Sequence, residues 1–397
     1  RVWSWKRFRY LDLSDELAQL DEDQLLAATA LHGPVAIVAG AGSGKTRTIS
    51  HRIAYGIETG AYTASRVFAL SYTNRAAAEI RSRLRKLGAG DVAVRTFHSA
   101  ALAQLQFFWP QLTESFAPKL VTNKGGLIQE VLDQMGIRPN QELKLSLQSE
   151  VEFLRYSMQD IDKYEEAGRQ LQSISSERFV EFFKNYEKFK QQRRIIDWED
   201  ALLLTVGLLR DQPRMLSHVQ QQYRFFTVDE YQDISPLQQA LLETWLGQRH
   251  ELCVVGDPRQ TIYTFAGARS DFLTDFQSRY SDAQVFELNK NYRSSQEIVA
   301  LANRVISASP LVPMRAVSSV PTFTPYKNAQ AEAQAVGQRI IESISEGTAP
   351  RQIAVLARTN SQLEEIEQQL KKSGVDYQVR GSGRFFRKPE VAMALGA

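Results

Sequence analysis

The chain carries a single cysteine, Cys253, among 397 residues. A disulfide framework and a thiolate zinc site are thereby excluded. Its setting in Leu252-Cys253-Val254-Val255 predicts a buried thiol packed as a small apolar side chain. No apolar run approaches the roughly 18 residues needed to cross a bilayer. Charge of one sign is also scarce: 48 Lys+Arg against 45 Asp+Glu leave +3. The chain is therefore no polycation, and any nucleic-acid surface must be a local groove. Low-complexity tracts and long-period repeats are missing, which argues against linkers and solenoids. The basic, aromatic opening from Arg1 to Tyr10 has no apolar core or cleavage site after it, so no signal peptide is expected, and a cytoplasmic location is. An initiator Met is absent and Val391 to Ala397 reads as helix without an end signal, so a piece of a longer protein is expected.

What is present is ordinary globular composition, 43% hydrophobic and 23% charged, at a length suited to two or three domains. Val35-Ala36-Ile37-Val38 reads as a buried strand, followed by a helix with Ile49, Ile53 and Ile57 on one face. Val67 to Leu70 and Val92 to Val94 are further strands, and Ala76 to Leu87 a helix with basic residues at its end. This alternation predicts an α/β fold with a parallel sheet. From Phe107 to Arg194 helical spacing dominates, with Phe179, Phe182, Phe183, Tyr186 and Phe189 as a core stripe and Lys184, Lys188, Lys190, Arg193 and Arg194 as a solvated face. Strands resume at Phe225 to Val228 and Leu252 to Val255. A second α/β pattern follows: strands at 322–326, 353–357 and 377–379, helices at 330–345 and 361–373.

Ala39-Gly40-Ala41-Gly42-Ser43-Gly44-Lys45-Thr46 lies between the first strand and its helix, the setting of a phosphate-binding loop. Small residues let backbone N–H groups reach phosphates, and the helix N-terminus adds positive potential. Lys45 suits the β- and γ-phosphates and the Thr46 hydroxyl suits Mg²⁺. The strict pattern has Gly where this chain has Ala39. Asn123-Lys124-Gly125-Gly126 lacks the fourth-position Asp of a guanine-reading loop, whereas the Gln24 amide can match adenine, so ATP is expected over GTP. The strand Phe225 to Val228 ends in Asp229 and Glu230, types that can hold Mg²⁺ and activate a water.

Together these motifs resemble the UvrD/Rep/PcrA-like superfamily 1 DNA helicases from about Leu20 to Ala394. The resemblance is carried by Gln24, by 39–46, by Ser71 to Glu79 and by Thr96-Phe97-His98-Ser99. It continues through Val228 to Asp233, Val255 to Tyr263 and Leu288 to Ser294. It implies RecA-like P-loop NTPase sheets, an inserted helical subdomain and a second, incomplete RecA-like domain. The expected layout is 1–106 and 196–288 for the first motor domain, 107–195 for the insertion, 289–385 for the second and 386–397 for the start of an accessory insertion. By the same resemblance Gln260 is a γ-phosphate sensor, Arg293 reaches the γ-phosphate, Tyr292 stacks on adenine and Arg47 lies near the nucleotide. Tyr72, Thr73, Asn74, Phe97, His98, Tyr263 and Phe265 match positions lining a single-strand groove. His98 reads equally as a buried hydrogen-bonding residue and Tyr263 equally as packing. Two departures stand out: Asp257-Pro258-Arg259 replaces an aspartate-rich stretch, and Phe265-Ala266 replaces Trp-Arg. Phe385 to Glu390 resembles the start of the accessory insertion.

The function implied is a 3′-to-5′ ATP-dependent DNA helicase or translocase in repair or replication. Its cofactors are ATP and Mg²⁺, and its partners single-stranded DNA, single-/double-strand junctions and repair proteins, with no membrane. The motor part of a helicase–nuclease, a regulatory DNA-binding relative and a metabolic P-loop kinase are the other readings.

Overall fold

A computed structural model describes residues 17–379, apart from 167, 168, 170, 172, 173, 307–309, 318 and 319. Ten strands are formed among them: β1 (Val35–Ala39), β2 (Val67–Ser71), β3 (Ala93–Thr96), β4 (Lys119–Leu120), β5 (Ile195–Ile196), β6 (Phe225–Val228), β7 (Leu252–Gly256), β8 (Gln284–Leu288), β9 (Lys290–Ser295) and β10 (Val312–Arg315). Six of these build one sheet in the order β3-β2-β6-β7-β1-β8, every pairing parallel. Parallel sheets need both faces covered, and the side chains divide accordingly. Ala36, Phe68, Leu70, Phe226, Val228 and Val254 enter one core; Val35, Ile37, Val67, Ala69, Cys253 and Val255 enter the other. This is the period-two alternation of a strand with two apolar faces. Cys253 is fully buried, as its apolar run predicts.

The first four α-helices are α1 (Glu22–Thr29), α2 (Lys45–Glu58), α3 (Asn74–Lys86) and α4 (Phe97–Thr113), and α4 closes the first core. Against α4 lies the helix Trp198–Asp211, and beyond it Pro236–Leu246. The second core is closed by α2 and α3. A third core lies wholly within the helical region, where Phe179, Phe182, Phe183, Tyr186 and Phe189 meet Leu127, Ile128, Val131, Leu147 and Val151. The aromatic stripe is thus core, as expected. The solvated basic face has one correction. Lys190 is buried and bonds Asp200 at 2.6 Å, Glu187 at 2.9 Å and Asp197 at 3.1 Å. Its charge is stable there because three carboxylates surround it.

The chain falls into two compact units, Arg1–Ser319 and Val320–Ala397. β9 and β10 belong to the first unit, and among the described residues β9 pairs only with β10, in parallel. In the second unit the helices Ala329–Ser345 and Asn360–Lys372 form where expected and pack together. The strands expected at 322–326, 353–357 and 377–379 do not form. An extended segment becomes a strand only when a neighbour takes its N–H and C=O groups, and none among the described residues does so here. The resemblance at Phe385 to Glu390 lies outside the described residues.

Candidate nucleotide site and nucleic-acid face

Five of the segments singled out leave the carboxyl edge of a parallel strand, where ligands of open α/β sheets bind, whereas Gln24 lies on α1 ahead of β1. The phosphate loop follows β1, Tyr72 follows β2, Phe97 follows β3, Asp229 and Glu230 follow β6, and Gln260 follows β7. Gly42 and Gly44 adopt φ +71° and +86°, a left-handed conformation that turns the loop into the first turn of α2. The Lys45 ammonium donates to the Ala39 carbonyl at 3.3 Å, so the lysine folds back along its own loop. Ser43 Oγ donates to Gly40 O at 2.8 Å.

Gln24 is buried, and its Nε2 donates to Ser43 O at 2.8 Å. Its Oε1 accepts from Asp21 N at 3.3 Å in a capping box on α1. The amide therefore braces the loop rather than standing open as a free edge. Arg47 Nη2 donates to the Gln19 carbonyl at 2.9 Å, an exposed tether at the start of α2.

Asp229 is buried at the end of β6 and accepts from the Glu230 amide at 3.0 Å. Burial first, then the neighbouring Glu230, push its carboxyl up to about 7, while Lys45 pulls the other way. Glu230 holds φ +53°. Glu114, Met158 and Arg194 share this left-handed conformation, but Glu230 alone of the four joins a sheet strand to the short helical turn Tyr231–Asp233, a place where such strain accompanies functional turns. Its carboxylate accepts from Gln232 Nε2 at 3.0 Å. Among the described residues no three His, Cys, Asp or Glu side chains gather to hold a metal. Mg²⁺ would thus draw Thr46 and Asp229 from the chain and its other oxygens from phosphate and water. That all-oxygen set fits a small cation that keeps much of its hydration.

β9 lies directly on the phosphate loop. Asn291 Nδ2 donates to Ala41 O at 2.6 Å, and Tyr292 N donates to Gly42 O at 2.9 Å. A Cβ built on Gly42 would stand 2.8 Å from Arg293 Cβ. Tyr292 OH donates to Asp21 Oδ2 at 2.5 Å and Lys290 pairs with Asp23 at 2.8 Å, so β9 also grips the start of α1. Gln260 Nε2 donates to Asp257 Oδ2 at 2.8 Å, and Arg259 Nε to Asp257 Oδ1 at 2.7 Å. Burial would raise the Asp257 carboxyl; the Arg259 and Gln260 hydrogen bonds more than reverse this and hold it low.

The aromatic residues divide. Tyr72 and Tyr263 stack on each other with centroids 4.7 Å apart, and the exposed Phe265 lies 6.2 Å from Tyr263. Thr73 caps α3 and Asn74 is exposed at its first turn. His98 Nε2 meets Tyr156 OH at 2.8 Å, with Trp198 edge-on to its ring. Burial and then the Lys124 charge push its imidazole down to about 4. The hydrogen-bonding reading of His98 therefore describes its place. Phe97 is a correction: it is 1% exposed and stacked on Trp245 in the first core, leaving no ring face for a base.

Comparison with known proteins identifies the family. Residues 20–281 match the UvrD/REP helicase N-terminal domain and residues 286–396 the UvrD-like helicase C-terminal domain. The chain belongs to the UvrD/Rep helicase family. It is 38% identical to the ATP-dependent DNA helicase UvrD2 of Mycobacterium tuberculosis (strain ATCC 25618 / H37Rv) over 402 residues, covering 96% of this chain and 57% of that protein. It is 30% identical to the ATP-dependent DNA helicase PcrA of Leuconostoc citreum over 385 residues, covering 94% and 51%. With PcrA of Staphylococcus aureus (strain NCTC 8325 / PS 47) it shares 27% identity over 387 residues, covering 94% and 52%. The chain spans about half the length of these relatives.

Around these residues of the UvrD/Rep-family chain the structure adds supporting side chains to which the sequence assigned no role. Asn291 is buried and also accepts from Arg293 N at 2.9 Å and Ser294 N at 2.8 Å, so it shapes the turn that presents Arg293. Its signal was the Asn in Asn289-Lys290-Asn291-Tyr292-Arg293, a type that bonds local backbone. Tyr156 and Trp198, which hold His98, had no local signal. Among the described residues no helix is long and apolar enough to cross a membrane.

Proposed function

We propose that the chain is the ATP-driven motor portion of a 3′-to-5′ DNA helicase that moves along single-stranded DNA, in repair or replication, and acts at single-/double-strand junctions. The observation that carries this reading is the meeting of the phosphate loop, the Asp229–Glu230 turn and β9 at one sheet edge, beside an aromatic cluster.

In this reading the backbone of 40–46 and Lys45 hold the β- and γ-phosphates. Gln24 braces the phosphate loop from the nucleotide's side through the Ser43 carbonyl, Tyr292 stacks on the base, and Arg47 flanks the nucleotide. When bound through Thr46 and Asp229, Mg²⁺ neutralises phosphate charge. Glu230 orients and deprotonates the attacking water. Arg293 stabilises charge on the transferred phosphoryl group, as a planar guanidinium does well. Gln260, held by Asp257, senses the γ-phosphate and lies three residues before Tyr263. Hydrolysis thus reaches the Tyr72–Tyr263 pair, whose separation would admit a base and whose closure would expel it. Phe265, Thr73 and Asn74 complete a groove that stacks bases without reading them. In this reading the motor is built around the helical insertion, and the protein works in the cytoplasm with repair-protein partners.

The test is ATP hydrolysis with and without single-stranded DNA, on this chain and on the full-length protein. DNA-stimulated hydrolysis that disappears in Lys45→Ala, with single-strand binding retained, supports the reading. Hydrolysis unchanged in Lys45→Ala refutes it.

A further inference from the structure

The roles assigned above leave Gln232 unused, although its side chain is only 1% exposed and bonded on every side. The sheet register explains where it lies. β6 and β7 are parallel neighbours with Val228 opposite Val254. The turn Tyr231–Asp233 that follows β6 therefore reaches the carboxyl end of β7. A Cβ built on Gly256 would stand 2.4 Å from Gln232 Oε1, its nearest neighbour. The absence of a side chain at the end of β7 is thus what makes room for this amide.

The orientation of the amide is fixed by its partners. The Asp257 backbone N–H, which can only donate, reaches Gln232 Oε1 at 3.0 Å. Nε2 is left facing two carboxylates, and it donates to Glu230 Oε2 at 3.0 Å and to Asp233 Oδ2 at 3.2 Å. An amide nitrogen carries two N–H groups, so both bonds form at once. Each carboxylate has a second commitment. Glu230 is the group that activates water in the reading above. Asp233 Oδ1 accepts from Ile262 N at 3.2 Å, one residue before Tyr263. Asp233 also lines the small recess shared by Tyr72, Tyr156 and Tyr263. A continuous path of hydrogen bonds therefore runs from Glu230 through Gln232 and Asp233 to the backbone that carries Tyr263. It meets the Asp257–Gln260 pair only at the Asp257 amide.

We infer that Gln232 is a positioning residue that links the Glu230 carboxylate to the Tyr72–Tyr263 pair, so that a base held between those rings sets the rate at which water is activated. This link rests on the roles proposed above for Glu230 and for the two tyrosines. A base that parts the rings moves the segment Ile262–Tyr263. Asp233 follows the amide from which it accepts, and Gln232, bonded to both carboxylates, shifts Glu230. A neutral amide suits the task, since it bridges two acids without adding a buried charge of its own.

Steady-state ATP hydrolysis by the full-length protein, with and without oligo(dT), tests it. Gln232→Met keeps the length of the side chain and removes its hydrogen bonds. The ratio of turnover with DNA to turnover without should fall about five- to a hundredfold, the span of ordinary coupling between sites, while KM for ATP changes less. Asp233→Asn keeps an acceptor for Ile262 N but turns an N–H toward Gln232 Nε2, and should lower the ratio similarly. The double variant should lose no more than the larger single loss, as residues acting through one path do. An unchanged ratio in Gln232→Met overturns the inference. So do equal losses with and without DNA, which would leave Gln232 as a prop for Glu230 alone, and so do additive losses in the double variant. If neither variant folds, hydrogen exchange at Ile262 in the wild-type protein decides: Mg²⁺–ATPγS without DNA should change its rate about threefold or more, and no change overturns the inference. The two levels are separable. Wild-type hydrolysis that ignores oligo(dT), or that survives Lys45→Ala, would sink the motor reading itself; stimulated, Lys45-dependent hydrolysis with an intact ratio in Gln232→Met would sink only the role of Gln232.

Discussion

Gly42→Ala probes the contact between the phosphate loop and β9 with one methyl group. Two costs arise. Gly42 has φ +71°, and a non-glycine residue there costs about 1–2 kcal/mol. The added Cβ would also stand 2.8 Å from Arg293 Cβ and 2.8 Å from Asn291 Nδ2, an overpacking worth about 1–3 kcal/mol. Relief is available locally. Tyr292 and Arg293 are exposed, and moving them off the loop breaks the Tyr292 N–Gly42 O and Asn291 Nδ2–Ala41 O bonds, about 0.5–1.5 kcal/mol each. Displacement of β9 is thus no dearer than holding the strain. The φ cost and the two lost bonds together come to about 2–5 kcal/mol, so the thermal midpoint should fall by roughly 4–20 °C at roughly 2–4 °C per kcal/mol. The Tyr292 amide should lose its protection against hydrogen exchange, and ATPγS affinity should fall about tenfold or more. Hydrogen-exchange mass spectrometry over 288–296 with a nucleotide titration reads both. Unchanged exchange at Tyr292 together with unchanged affinity would refute the packing argument.

Three further outcomes are expected. Glu230→Gln should lower ATP turnover about 10²–10⁴-fold, the usual contribution of a general base, while nucleotide affinity stays within a few-fold; retained turnover would remove Glu230 from the chemistry. His98 is held neutral in the fold, at about 4 against an ordinary 6.5, so the unfolded chain takes up the proton first and stability falls as pH drops from 6.5 towards 4. Between pH 7.5 and 5.5 the loss is about 1 kcal/mol by linkage, and His98→Gln should melt with a correspondingly flatter pH profile; identical profiles would contradict it. Single-strand affinity should fall as salt rises through counterion release, and a flat response would speak against a phosphate-contacting groove.

What was legible in the sequence was whatever is local. The phosphate loop needs only a strand, small residues and Lys45 within a dozen positions, and the acidic turn only the run from Phe225 to Glu230. Cys253 and the aromatic stripe at 179–189 were readable from period and neighbours alone. What was not legible depends on distant partners. Phe97 follows a strand end as an exposed aromatic would, yet Trp245 covers it. Lys190 has the look of a surface lysine until Asp197 and Asp200 fold back onto it. The segment 353–357 has strand composition, but pairing is decided by neighbours that its own residues do not encode. Gln24 was read for an adenine edge, whereas its burial comes from the loop at Ser43, whose carbonyl it engages.

The most direct test of the phosphate pocket is equilibrium binding of Mg²⁺–ATPγS to the wild-type chain, Lys45→Ala and Arg293→Ala. The account predicts a loss of about a hundredfold or more for the first variant and about tenfold for the second, each with its melting profile intact. Wild-type affinity in both would show that the loop and β9 meet without forming a nucleotide site.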